Sequence, residues 1–361
     1  MNPFNPSFGK VPPIFLDRDQ QVAQVVEGLQ NINSPFQTTL IYGIRGAGKT
    51  SFLTDVSKQI KQKDDWIVVN LAMDGELIST SIASVYDQAT SSLKKILDQI
   101  VGIEFSVFGI QTTINTGGKT HVDEKIILEN MLRQVTKQGL HVLITLDEVR
   151  STEAVRKFIL IYQILSREEL NVSLIMTGLP NHVSELQNDD VLTFLLRSAR
   201  VNLSPLDALT VRYSYQKAFI EGGKSIDDDA LELMTKLTVG YAYAFQLLGY
   251  LVWETSDQID ISTVQSVVPQ YQMDLTRNVY LKIYQSLSPT DQLFVQTMAQ
   301  MDGDQFSVGE IGQRMQKPKN YVSMYRRRLL DDQIITSSQH GYVRFALPLF
   351  KQFVNDYQEY Y

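Results

Sequence analysis

Two short stretches of this chain carry residue types and spacings suited to phosphoryl chemistry. The first, Gly43-Ile44-Arg45-Gly46-Ala47-Gly48-Lys49-Thr50, matches Gly-x-x-x-x-Gly-Lys-[Ser/Thr]. In that pattern glycines let successive backbone N–H groups turn inward onto phosphate oxygens. Lys49 is expected to reach the β- and γ-phosphates of a nucleoside triphosphate, and the Thr50 hydroxyl to hold Mg²⁺. Ser51 begins the helix that follows, whose start adds its positive dipole end to the same anion site. The second stretch is Val142-Leu143-Ile144-Thr145-Leu146-Asp147-Glu148, an apolar strand ending in two carboxylates. Such a strand delivers its last residues to the carboxyl edge of a parallel sheet, where a phosphate loop also lies. Asp147 is expected to hold Mg²⁺, largely through the ion's water shell. Glu148 is expected to polarise the attacking water as general base.

The elements that must position these groups are legible from periodicity. Thr38–Tyr42 reads as a short buried strand leading into the loop, and Phe52, Leu53, Val56 and Ile60 as the apolar face of a helix leading out. Further buried strands are expected at 66–71, 142–146, 172–177 and 201–203. Helices are expected at about 79–101, 123–138 and 153–167, and a β-hairpin insert at about 104–118. Buried apolar strands alternating with helices imply an α/β fold: a P-loop NTPase αβα sandwich with a five-stranded parallel sheet. From Leu206 the pattern is purely helical, with candidate helices at 207–220, 227–238 and 241–255, then a long helix at about 262–285. The last segment offers helices at 291–301, 307–315 and 319–330 and a ribbon formed by 334–337 and 342–347, the pattern of a winged helix-turn-helix. Ser307 and Glu310 have capping-box spacing. The expected division is thus an ATPase-like core at 1–205, a helical lid at 206–272 and a winged helix-turn-helix at 273–361.

Composition narrows the function classes. The 361 residues are 43% apolar and 20% charged, ordinary for a globular protein with more than one domain. No cysteine occurs, which excludes disulfides and thiolate metal sites and fits a reducing cytoplasm. His121, His141, His182 and His340 are scattered without ligand spacing. Met1–Pro6 lacks the basic and apolar blocks of a signal peptide. The most apolar stretch, Ala242–Trp253, contains Gln246 and at about a dozen residues is too short to cross a bilayer. A cytoplasmic protein without membrane contact is the expectation. The net charge of −7 supplies no general attraction to nucleic acid, so any DNA contact must be a local patch.

With the loop, the Asp-Glu strand, the helical region and the terminal pattern together, the chain resembles AAA+ ATPases of the origin-recognition-initiator-like group and the related STAND-type NTPases, over nearly its full length. The resemblance implies ATP as the nucleotide; the chain has no guanine-reading Asn-Lys-x-Asp motif. It implies that the lead-in Pro12-Pro13-Ile14-Phe15-Leu16-Asp17-Arg18-Asp19 holds the adenine, with Arg18 part of that box, although Asp17 stands where the family has glycine. It implies a γ-phosphate sensor at Thr177; a strand-end threonine capping a turn is the other reading. It also implies an arginine finger at Arg197 or Arg200, offered to a neighbouring copy in a homo-oligomer. The alternative there is a pair of surface arginines. Relatives begin a lid helix with a sensor arginine or with Gly-x-Pro. This chain has Gly240-Tyr241-Ala242-Tyr243-Ala244, which points to a slow nucleotide-controlled switch in place of rapid hydrolysis. Tyr241 or Tyr243 is a candidate to pack on the base, core packing being the alternative.

A second partner is suggested by the last third. Lys317, Lys319, Arg326, Arg327 and Arg328 fall on or just before the third helix of the terminal pattern with no acid between 317 and 328, and Arg344 lies on the ribbon. In this motif that helix enters the major groove of duplex DNA. Over 281–361, however, nine Lys/Arg face eight Asp/Glu. A solvated face, or a surface that docks another protein, is therefore the competing reading.

Overall fold

The structure, a computed structural model, describes residues 1–361 except 8–13, 15–17, 74–75, 102, 105–112, 115–123 and 361. The first half runs α1 (Asp19–Leu29), β1 (Thr38–Tyr42), α2 (Lys49–Lys61), β2 (Trp66–Leu71), α3 (Leu77–Gln88), α4 (Ser91–Val101), β3 (Ile103–Glu104) and β4 (Thr113–Ile114). It continues through α5 (Glu124–Lys137), β5 (His141–Leu146), α6 (Glu153–Arg167), β6 (Val172–Gly178), α7 (Pro180–Gln187) and β7 (Ala199–Asn202). Five strands form one sheet in the order β2-β5-β6-β1-β7, and every pairing in it is parallel.

Successive strand residues point to opposite faces, and here both faces are apolar. Ile41, Val68 and Leu143 join one buried cluster while their neighbours Leu40, Val69 and Ile144 join the other. This two-sided burial explains why the strands read as continuous apolar runs. The register sets Tyr42 beside Gly178 and Asn202, and Leu146 beside Met176. The carboxyl ends of β1, β5 and β6 therefore share one edge, and whatever follows them in sequence meets there.

The expected long helix at 79–101 is instead two, α3 and α4. Ala89 is extended, and the Thr90 hydroxyl accepts from Leu93 N–H at 3.3 Å, a cap that starts a new helix where periodicity alone reads through. The hairpin insert is described only at its ends: Ile103 and Glu104 pair antiparallel with Ile114 and Thr113, and the rest of 104–118 lies outside the described residues, as does His121.

Beyond Leu203 come α8 (Ala208–Glu221), β8 (Ser225–Ile226), α9 (Asp228–Thr238), α10 (Ala242–Thr255), β9 (Gln258–Ile259) and α11 (Ile261–Leu275). A π-helical turn, Thr276–Tyr280, carries α11 directly into α12 (Leu281–Ser286). The passage to the last third is thus a continuous helical run, and the expected boundary at 272/273 falls inside it. Then follow α13 (Pro289–Ala299), β10 (Phe306–Ser307), α14 (Val308–Arg314), α15 (Lys319–Asp331), β11 (Ile335–Gln339), β12 (Tyr342–Phe345) and α16 (Phe350–Tyr360). The three short strands form a sheet in the order β10-β12-β11. Helix α16 has no counterpart among the elements expected from sequence.

Only half of the expected capping box forms. Ser307 Oγ accepts from Glu310 N–H at 3.5 Å, while the Glu310 carboxylate turns to Arg314 at 2.7 Å. One apolar cluster extends from Phe4 through the loop-side face of the sheet and α8–α11 to Val354, so the regions after Leu203 pack onto the sheet domain. No helix among the described residues is long and apolar enough to cross a membrane.

Candidate nucleotide site

The loop after β1 closes because two of its glycines adopt left-handed backbone angles, Gly46 at φ 79° and Gly48 at φ 91°, conformations that cost glycine little. Ala47 N–H donates to Ile44 C=O at 3.1 Å, and Phe52 N–H to Gly48 C=O at 2.9 Å, which starts α2. Lys49 is buried, and its ammonium donates to Gly43 C=O at 2.9 Å and Ile44 C=O at 3.0 Å. Burial lowers its pKa to about 8, against the opposing pull of Glu148 and Asp147.

The two motifs meet. Thr50 Oγ1 donates to Asp147 Oδ2 at 2.7 Å. Thr177 lies behind them, fully buried, and its hydroxyl donates to Asp147 Oδ1 while accepting from Glu148 N–H at 3.2 Å. The same Glu148 N–H also reaches Asp147 Oδ1 at 3.1 Å, and Glu148 holds a φ of 55°. Asp147 is thereby gripped by two hydroxyls, and Glu148 is turned outward at the end of β5. The Thr177 hydroxyl, expected as a sensor, bonds the Asp147 carboxylate and the following amide, and Thr177 does not line the cavity.

A cavity of about 420 Å³ opens between the loop and the helices beyond it. Its phosphate-loop end is lined by Arg45 through Ser51 together with Glu148, Arg150, Leu179 and His182. Asn5–Ser7, Ile14, Arg18, Tyr243, Gln246 and Asn278 line the same cavity. Gly43 and Ile44 lie behind this wall; a side chain at Gly43 would meet Leu203 C=O at 3.0 Å. Arg18, nearly buried, donates to Ser204 C=O at 2.7 Å. Of the expected adenine box, 12–13 and 15–17 lie outside the described residues. The Ile14 carbonyl accepts from Gln246 Nε2 at 2.8 Å, and Gln246 Oε1 accepts from Asn5 N–H at 2.9 Å.

Helix α10 closes directly on the loop. Tyr241 Oη donates to Arg45 C=O at 2.6 Å, and Tyr243 N–H donates to Gly46 C=O at 3.1 Å. Asn278 Nδ2, on the π-helical turn, donates to Tyr243 Oη at 3.0 Å. Burial raises the pKa of both tyrosines, so they act as neutral hydrogen-bonding groups. Tyr241 is thus a tie to the loop backbone, and Tyr243 is the tyrosine on the cavity wall.

Sequence reasoning missed Arg150 and His182. Burial and Arg150 lower the His182 pKa, with Glu185 and Glu148 pulling against them. The signal available for Arg150 was its spacing three residues after Asp147; nothing local marks His182, which α7 brings across from the end of β6. Arg197 and Arg200 do not line the cavity. Both are exposed, Arg197 at the end of the turn Thr193–Arg197 and Arg200 on the edge strand β7.

The basic run of the last third divides into groups of different character. Lys317, Lys319, Arg327 and Arg344 are exposed. Arg328 is tied to the buried carboxylate of Asp291 at 2.6 Å, and Arg326 donates to Ser337 Oγ at 3.3 Å.

A family model described as "Domain of unknown function (DUF8462)" matches residues 277–354. No curated protein matches the chain. Among solved structures, the Walker-type ATPase of Pyrococcus abyssi is similar with a TM-score of 0.62 at 15% identity, over 94% of this chain and 96% of that one. The ORC2 protein of Aeropyrum pernix, solved in ADPNP–ADP complexes, gives a TM-score of 0.62 at 13% identity, over 97% of this chain and 96% of that one. At such identities the likeness is one of fold. The chain shares the fold of these structures, an α/β P-loop sheet domain followed by a helical C-terminal region.

Proposed function

We propose that this protein binds ATP with Mg²⁺ and hydrolyses it, acting as a nucleotide-controlled switch. The observation that carries the reading is the 2.7 Å bond to Asp147 from Thr50, which lines a cavity together with Lys49 and Glu148. Thr50 and Asp147 supply hard oxygen donors side by side, the chemistry that suits Mg²⁺ held partly by water. Among the described residues, no group of three or more His, Cys, Asp or Glu could form an all-protein cage. When bound there, Mg²⁺ would neutralise charge on the β- and γ-phosphates.

The backbone amides of Arg45–Ser51 bind the phosphates, and Lys49 exchanges its two loop carbonyls for phosphate oxygens. Glu148 takes a proton from the water that attacks the γ-phosphorus. The bond from that phosphorus to the β–γ bridging oxygen breaks, and its electron pair leaves with ADP. Thr177 is assigned a positioning role, since its hydroxyl orients Asp147 and the Glu148 backbone. The adenine lies towards Asn5–Ser7, Arg18 and Tyr243. Tyr241 and Tyr243 replace a lid arginine as the link between loop and lid, and Asn278 extends that link towards the last third. The division at 1–205, 206–272 and 273–361, with a winged helix-turn-helix in the last part, belongs to this reading. Duplex DNA on the exposed face of α15 and β12 is a second reading, favoured by the open side chains of Lys317, Lys319, Arg327 and Arg344.

Lys49→Ala is expected to lower ATP affinity by at least about tenfold, while Glu148→Gln keeps ATP affinity and loses about a hundredfold or more in turnover. Equilibrium binding of labelled ATP and phosphate release measure the two. Parent-like affinity and turnover in both variants would remove the site assignment.

A further inference from the structure

Arg150 is a cation at the reacting end of the cavity with no partner among the described residues. It lies three residues after Asp147, where the chain leaves β5, and it lines the cavity beside Glu148 and His182. Its guanidinium makes no hydrogen bond or ion pair with any described residue. That distinguishes it from Arg18 on the same cavity wall. Arg18 is bound to Ser204 and Gln21. Arg45 sits on the loop itself, and Arg197 and Arg200 lie off the cavity wall. An unpaired guanidinium facing a site for a polyanion costs the free protein little. It becomes a planar, multiply donating partner once a phosphate arrives.

We infer that Arg150 is this chain's own γ-phosphate-binding cation, supplied in cis, so that hydrolysis needs no arginine from a neighbouring copy. The inference rests on the ATP reading of the site and concerns the terminal phosphate alone. Chain order ties Arg150 to the reacting end, since it follows Glu148 by two residues. Arg150 lines the cavity together with Glu148, Leu179 and His182. Charge placed by Arg150 therefore acts on the phosphate that is transferred and leaves the base untouched. As water attacks and the γ-phosphoryl separates from ADP, negative charge spreads over its equatorial oxygens and the bridging oxygen. A fixed guanidinium there lowers the barrier more than it tightens ground-state binding. His182 lines the cavity beside it and takes no part in the proton transfer, which belongs to Glu148.

The test compares Arg150→Ala and Arg150→Lys with the parent in single-turnover ATP hydrolysis and in separate measurements of ATP and ADP affinity. Removing an exposed, unbonded side chain should leave the fold intact, and thermal unfolding checks this. Arg150→Ala is expected to lose about a hundredfold or more in rate. It should also lose most of the preference for ATP over ADP while ADP affinity stays unchanged. Arg150→Lys should recover part of the preference and little of the rate, because the fork geometry is lost. The parent rate per chain should not change with protein concentration, and the double variant Arg197→Ala, Arg200→Ala should match the parent. A parent that turns over ATP beside an Arg150→Ala variant with the same rate and the same ATP-to-ADP ratio overturns the inference alone. A rate per chain that climbs with concentration and vanishes in the Arg197, Arg200 double variant overturns it in favour of a neighbour's arginine. A parent that binds neither nucleotide removes the ATP reading and this inference with it.

Discussion

Lys49 connects the loop's geometry to a measurable proton. Its ammonium is buried and satisfied by two loop carbonyls, and burial brings its pKa down to about 8 from 10.5. A bound triphosphate would hold the same group charged. Below about pH 8 the proton is already present, so affinity should be flat; above it, binding must take one up. Affinity should then fall by up to about tenfold per pH unit, and Lys49→Ala should lose that slope. The folded protein alone should move the other way. With the folded pKa lowered below the unfolded value, the unfolded chain binds more protons between about 8 and 10.5, so stability contributed by this group rises with pH. Isothermal binding and chemical unfolding across that window separate the two trends. An affinity independent of pH up to about 10 would refute a lowered Lys49 pKa in the free protein.

At the scale of elements, the contact that closes the site is between α10 and the phosphate loop. A side chain at Gly46 would come within 2.1 Å of Tyr241 Oη, so the loop must be bare at this point for α10 to approach. Tyr241→Phe keeps the ring and removes the donor to Arg45 C=O. It is expected to cost about 1 kcal/mol of stability, read from urea unfolding, and to speed nucleotide release, read by stopped flow. Release as slow as in the parent would show that the tie does not restrain the ligand. The link continues through Asn278 into the π-helical turn, a distortion that often occurs at functional positions in helices. Here it brings Asn278 and Val279 to the cavity wall within the run that leads to α12.

For the whole molecule, net charge −7 and a terminal region with mixed charge mean that DNA affinity, where it exists, comes from geometry on one face. Replacing Lys317, Lys319, Arg327 and Arg344 by alanine should lower duplex affinity and flatten its salt dependence, by about one unit of slope for each phosphate that is no longer neutralised. Arg328→Ala should act on stability instead, at about 1–3 kcal/mol, because it strands the buried Asp291 carboxylate. Filter binding at several salt concentrations, with unfolding of each variant, tests both. Duplex affinity that is undetectable at low salt in the parent would dismiss the DNA reading. The N-terminal segment also acts at this scale. Phe4 is buried against Tyr215, Phe219, Phe245 and Trp253, which pins the chain start to the helical region and sets Asn5–Ser7 over the cavity.

The amino-acid order by itself determined the parts whose physics is local. The glycine pattern at 43–50, the apolar strand ending in Asp147-Glu148, the five buried strands and the helical run after Leu206 are read from neighbours a few residues apart. Periodicity and backbone preference act over that range. It did not determine the break at Ala89-Thr90, which depends on one side chain competing for a backbone amide, nor the π-helical turn, which has no distinct local pattern, although Phe350, Phe353, Val354 and Tyr357 do mark α16 by their helical spacing. Only the tertiary structure decided which distant groups meet. Thr177 is spent on Asp147, Arg328 on Asp291, Tyr241 on the loop backbone, and Arg150 faces the cavity with no partner among the described residues. Those outcomes depend on which strand ends share an edge and which helix closes over it, and such contacts join residues too far apart in the chain for any local spacing to encode.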